Sequence, residues 1–117
     1  MNNKALKQFI PLNHKISIYV PSTININETI DNSEYINETA SRLTAVCGGA
    51  TITSALGFWH SETVGNVTEK VNIIFAYVNN ESFEKAIKET LSIANYLKSN
   101  LKQDAISLEI DNKMYFV

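Results

Sequence analysis

Arginine is nearly missing from this sequence. Arg42 is the only guanidinium among 10 Lys and Arg residues, so bidentate recognition of phosphate or guanine has almost nothing to work with. A net charge of −2 and a pI near 5.6 leave no electrostatic footprint for nucleic acid, which is not an expected partner. Cysteine is as scarce. Cys47 is single, which excludes an intramolecular disulfide and a cysteine-rich metal site. No run of about 18 apolar residues occurs, so no helical membrane span is encoded. The opening MNNKALKQFIPLNHK lacks the apolar core of a signal peptide. A cytoplasmic protein without a membrane partner is the expectation.

Chemical motifs are also few. Neither GxGxxG nor GxxxxGK followed by Ser or Thr is present. The one glycine pair, Gly48-Gly49, follows a helix-period stretch, which is the wrong pole of a helix dipole for phosphate. His14 and His60 form no HxH or HxxxH motif, so no metal site is expected, and no cofactor either. Cys47 falls on a helix stripe, where a cysteine behaves as a small hydrophobe rather than a nucleophile.

What is there reads as one globular domain: 117 residues, 44% hydrophobic and 19% charged. Lys15 to Val20 alternates, with Ile16, Ile18 and Val20 on one face, and Pro21 ends that strand. The polar stretch Ser22 to Ile30 reads as a loop. Asp31-Asn32-Ser33-Glu34 opens a helix with a capping-box pattern, and Ile36, Ala40, Leu43 and Cys47 share one helix face. Gly48-Gly49 supplies its left-handed C-cap. Ala50 to His60 alternates as a second strand, Glu62 to Asn66 as a hairpin loop, and Val67 to Val78 as a third strand. Asn79-Asn80 caps a long helix whose apolar stripe is Phe83, Ile87, Leu91, Ala94, Leu97 and Leu101. Ala105 to Ile110 and Lys113 to Val117 close the chain around an Asp111-Asn112 turn.

The order is β-α-β-β-α-β plus a short C-terminal strand, which is an α+β, ferredoxin-like, split-βαβ arrangement: an antiparallel sheet with two helices on one face. Residues 1–14 are expected as a loosely held extension and residues 15–117 as the domain. If the ends of strands one, two and four meet the start of strand three at one edge, that edge gathers Ser22, Thr23, Asn25, Trp59, His60, Glu62, Glu69, Lys70, Asp111 and Asn112. It is the one place where polar residues converge on the Trp-His pair.

Two readings of that edge differ in kind. In the first, Ile52, Leu56 and Phe58 face the helices. Trp59 then stands on the open sheet face near Tyr19, Thr53, Ala55, Ile74 and Ala76, with Gly57 leaving room beside it. Burying one tryptophan favours association by a few kcal/mol, at roughly 25 cal/mol per Å² over about 200 Å². This reading gives a non-enzymatic binding module with no catalytic residue. It assembles as a homo-oligomer, a dimer first of all, through the open face. Trp59 and Tyr19 would stack on a partner protein or small ligand, and His60, Thr23, Glu62, Glu69 and Lys70 would set hydrogen bonds. The second reading is a small dimeric ferredoxin-like enzyme with His60 as general base and Glu62 or Glu69 orienting it.

The spacing GGAT at residues 48–51, GFW at 57–59 and Glu69-Lys70 entering an apolar strand resembles a family of short uncharacterised proteins carried by bacterial plasmids, prophages and other mobile elements. The PSTININ stretch at 21–27 and the ending Ser107-Leu108-Glu109-Ile110 extend the resemblance over Lys15 to Val117. It implies a mobile-element origin. By association it also implies counter-defence, through gripping a defence protein or sequestering a nucleotide-like signal.

Overall fold

The alternating segment that ends at Pro21 forms β1 (His14–Pro21), and its inward residues Ile16, Ile18 and Val20 are fully buried. The structure is a computed structural model and describes residues 3–117. A short two-stranded ladder, β2 (Thr23–Ile24) and β3 (Glu28–Thr29), interrupts the stretch expected as a plain loop. Next come α1 (Ser33–Cys47), β4 (Thr51–Ser61), β5 (Gly65–Val78), α2 (Asn80–Leu101), β6 (Ser107–Ile110) and β7 (Lys113–Phe116). The sheet order is β4-β5-β1-β6-β7, antiparallel at every step. The fold is ferredoxin-like α+β.

The caps follow local chemistry. Gly48 takes φ 93° and closes α1 by donating to the Thr44 carbonyl, the left-handed geometry that glycine adopts without penalty. Asn79 accepts from Ser82 N–H at the start of α2. The N-terminus of α1 differs from the expected box: Asp31 accepts from the Ser33 N–H, and Asn32 makes no side-chain cap bond. Asp111 and Asn112 both take positive φ in the β6–β7 turn, the pair of left-handed residues that a tight hairpin uses.

The core lies between the helices and the middle of the sheet. Ile18, Leu43, Ile74, Ile93, Leu97, Leu101 and Leu108 are fully buried there. On α2 the buried stripe runs through Ala86, Thr90, Ile93, Ala94, Leu97 and Leu101, whereas Leu91 is 41% exposed and turned away from it. Arg42 of α1 donates to Glu89 and Ser92 of α2 and ties the helices at the surface. At the far end of the chain, Val117 and Ile106 exchange backbone hydrogen bonds. Ile74 and Ala76 face this core, so they are not neighbours of the open face as expected; Ile73 and Phe75 take that place.

Strand length decides what the rest of the molecule does. Pairing of β5 with β1 stops at Val71, opposite Pro21. The β4–β5 ladder continues alone, from Leu56 opposite Lys70 to Ser61 opposite Gly65. At about 3.3 Å per residue this is a two-stranded arm roughly 20 Å long. It draws the molecule out to 52 × 28 × 20 Å, with a radius of gyration of 15.8 Å against about 13 Å for a compact chain of this size. Among the described residues no helix reaches the arm. Phe58, expected in the core, is therefore 69% exposed, and Leu56 beside it 54% exposed: both point to the helix side of the sheet, but the helices end before them.

Candidate functional site

The register places the expected residues on definite faces. Cross-strand partners share a face and successive residues alternate. Gly57, Trp59, Glu69 and Val67 therefore lie on the open side of the arm, with Tyr19 and Pro21 further along the same face. His60 pairs with Asn66 and points to the other side, as does Lys70. His60 and Glu69 are thus held on opposite faces. Glu62 lies in the exposed turn at the arm's tip, and neither it nor His60 makes a side-chain hydrogen bond among the described residues.

Thr23, Glu69 and Trp59 do converge. The Thr23 hydroxyl donates to Glu69 Oε1 at 3.1 Å, and Ser22 Oγ donates to the Lys70 carbonyl at 2.6 Å. These two bonds fasten the root of the arm to the end of β1. Trp59 and Glu69 form a wall between two hollows. One, about 220 Å³, opens on the sheet face between Tyr19, Trp59 and the connection before β6. The other, about 890 Å³, lies between the arm and the β2–β3 ladder and is lined by Thr23, Ile26, Asn32, Val67, Lys70 and Asn72 among others. Its size and its mixture of apolar and polar walls suit a small molecule.

Asn32 organises the floor of the larger hollow. Its Nδ2 donates to the Pro21 carbonyl at 2.9 Å and to Asn72 Oδ1 at 3.3 Å, and Asn72 donates in turn to Ser54. Ile26 stands at the rim with φ 75°. A β-branched residue in that region costs of order 1–3 kcal/mol, so the short ladder holds it there against its preference. A Cβ built on Gly57 would meet the Glu69 carbonyl at 3.6 Å, an ordinary contact, so Gly57 is not demanded by packing; it keeps the wall beside Trp59 low.

The expected edge also needs a correction. β6 runs antiparallel to β1, with Ile110 opposite Ile16 and Leu108 opposite Ile18, so its end lies beside the start of β1. Asp111 and Asn112 are consequently at the far edge of the sheet. The start of β6 and the connection before it come to the Trp59 edge instead, bringing Gln103, a residue not among the expected ones. Gln103 Nε2 donates to the Thr23 carbonyl at 3.0 Å. The sequence signal for it is slight: a polar residue shortly after the apolar stripe of α2 ends at Leu101.

Asp111 serves a different cluster. Its Oδ2 meets His14 Nδ1 at 2.6 Å, while His14 Nε2 meets Asn80 Oδ1 at 2.7 Å and the ring stacks on Phe83 at 3.6 Å. Both ring nitrogens face acceptors, an arrangement that suits the doubly protonated imidazolium. The hydrogen bond to Asp111 raises the His14 pKa, and the same bond lowers that of Asp111. Asp111 Oδ1 is taken by the Lys15 N–H. With these atoms engaged, the cluster ties β1, α2 and the β6–β7 turn together, beside a shallow hollow of about 570 Å³ lined by Leu12, Tyr77 and Asn112 among others. Cys47, the last residue of α1, has its thiol pKa pushed up by burial, the opposite of what a nucleophile needs. Among the described residues no three His, Cys, Asp or Glu side chains converge as metal ligands, and no helix is long and apolar enough to cross a membrane.

Two solved structures of a phage SAM lyase match the chain. One, in complex with S-methyl-5'-thioadenosine, superposes with a TM-score of 0.66 over 96% of this chain and 94% of that one, at 15% identity. The apo state of such a lyase gives a TM-score of 0.64 over 90% and 88%, at 16% identity. Their fold is the fold of this chain. No family model matches the sequence, and no curated protein does.

Proposed function

We propose that the chain binds S-adenosylmethionine in the hollow beside Trp59 and Glu69 and cleaves it as a lyase. The observation that carries this reading is Glu69. It is a half-buried carboxylate with no cationic partner among the described residues, beside an indole, in a fold matched almost end to end by a ligand-bound SAM lyase. A carboxylate next to an aromatic face attracts an organic cation, and S-adenosylmethionine carries both a sulfonium and an ammonium group. Trp59 and the apolar wall of the larger hollow offer the adenine a surface to lie against.

S-methyl-5'-thioadenosine is the part of S-adenosylmethionine left when the bond from sulfur to the methionine side-chain carbon breaks. Sulfur keeps the electron pair and becomes a neutral thioether. The carbon it leaves is attacked by the carboxylate oxygen of the same fragment, which closes a lactone as the C–S bond breaks. Glu69 acts in binding: positive charge on sulfur disappears as the bond breaks, so a carboxylate near it does not lower the barrier. Acceleration comes from holding the fragment folded on itself. His60 has no part in this scheme, being on the opposite face from Glu69.

A second copy of the chain is the proposed cover for the arm. A two-stranded ribbon is marginal by itself, and Leu56, Phe58 and Trp59 expose both of its faces. Removal of a methyl donor also fits the counter-defence role and mobile-element origin that the GGAT and GFW resemblance implies. The test is to incubate the purified protein with S-adenosylmethionine and follow the products by mass spectrometry. S-methyl-5'-thioadenosine should accumulate with the parent protein, and with Glu69→Gln more slowly at low substrate, recovering as substrate is raised. Binding without any product would leave the non-enzymatic module; neither binding nor product would overturn the reading.

A further inference from the structure

We infer that Gln103 and Thr23 are positioning residues that aim Glu69 and make the site select for a cationic ligand; the inference rests on the binding function just proposed. Gln103 Nε2 donates to the Thr23 carbonyl at 3.0 Å and approaches the Thr23 hydroxyl oxygen at 3.4 Å. It also donates to the Leu101 carbonyl at 3.2 Å. With its two hydrogens on the Thr23 and Leu101 carbonyls, the Gln103 amide clamps the Thr23 backbone, and the Thr23 hydroxyl hydrogen is free for another acceptor. Its acceptor is Glu69 Oε1 at 3.1 Å. The row runs from the connection after α2, through the clamped backbone of β2, to the carboxylate on β5.

The row is built to be rigid. Thr23 is 8% exposed. Two residues on, Asn25 donates its N–H to the Leu101 carbonyl at 3.0 Å, and the Gln103 N–H donates to the Lys98 carbonyl at 3.1 Å, so Gln103 and the Thr23 segment are both anchored to the C-terminus of α2. With Oε1 engaged, the Glu69 carboxylate cannot turn freely, and Oε2, which has no partner among the described residues, is left for the ligand. The consequence is a division of labour: Trp59 and the apolar wall take up the neutral adenosine part, while the Gln103-Thr23-Glu69 row reads charge. S-adenosylmethionine and S-methyl-5'-thioadenosine differ in that charge.

The test is calorimetric titration of the whole protein with both compounds, comparing the parent with Thr23→Val, Thr23→Ser and Gln103→Leu. Thr23→Val and Gln103→Leu should weaken S-adenosylmethionine binding by about tenfold or more and change the affinity for S-methyl-5'-thioadenosine by no more than about twofold. Thr23→Ser, which keeps the hydroxyl, should restore the parent's selectivity. Equal weakening of both compounds would show a merely structural role and overturn the inference, as would unchanged binding of both. Should Thr23→Val fail to fold by circular dichroism, Gln103→Leu, a partly exposed side chain outside the core, decides alone. A parent protein that binds neither compound would instead sink the proposed function, and this inference with it.

Discussion

Thr23 and Glu69 are joined by a 3.1 Å hydrogen bond across 46 positions of sequence, and that bond fixes the one carboxylate at the arm's root that lacks a cationic partner among the described residues. Glu69→Gln keeps the shape and lets the amide oxygen still accept from Thr23, but removes the charge. Its affinity for S-adenosylmethionine should fall by about tenfold or more, with binding of the neutral thioether almost unchanged. Unfolding free energy should move by no more than about 0.5 kcal/mol, as for surface positions generally. Parallel titrations and a denaturant curve check both halves.

The arm and the core should answer truncation very differently. Leu97 is fully buried under the helix layer, and Leu97→Ala should cost about 2–5 kcal/mol through lost transfer energy and the cavity left behind. Phe58, 69% exposed, should cost under about 1 kcal/mol as Phe58→Ser in dilute protein. If a second copy covers the arm, the same Phe58→Ser change shifts sedimentation toward the monomer. Urea melts and analytical ultracentrifugation on the two variants separate these effects.

The His14–Asp111 pair makes stability depend on pH. His14 has a raised pKa when folded, so its contribution is fully present below its ordinary value of 6.5 and is lost as pH rises through the folded value. Asp111 is lowered, so its contribution is present above its ordinary value of 3.8 and is lost as pH falls through the folded value. The pair therefore stabilises most between those two ordinary values, and less on either side. In Asp111→Asn this hump in the urea midpoint plotted against pH should flatten.

Trp59→Ala and His60→Ala, neighbours in sequence on opposite faces of β4, should part company. Loss of the indole should weaken both adenosine compounds alike, by about tenfold, since base-to-aromatic stacking is worth about 1–3 kcal/mol. Loss of the imidazole should leave binding and product formation at parent levels. A dead His60→Ala enzyme that still binds ligand would restore the general-base reading.

Local chemistry made most of the fold legible. The Ile16-Ile18-Val20 alternation, the Gly48 cap and the Asn79 cap each specify their element without help from the rest of the chain. Two things were not local. Phe58 obeys the strand period and points to the helix side, yet whether a helix lies over it depends on where α1 and α2 end in space, which no periodicity encodes. Asp111 was assigned to the wrong edge because the sense of the last strand comes from its pairing with β1, not from its own residues. Gln103 was missed by the same error, since it lies at the other end of that strand. Trp59, Thr23 and Glu69 were identifiable as residue types at one edge; the bond between the last two needed coordinates.

The most direct test of the central claim is native mass spectrometry of the purified protein with S-adenosylmethionine, and separately with S-methyl-5'-thioadenosine, on the parent and on Trp59→Ala. The account predicts ligand-bound parent protein with both compounds, a clear preference for the sulfonium, and weakened binding of both in the variant. A folded parent that retains neither compound at millimolar concentration would contradict it.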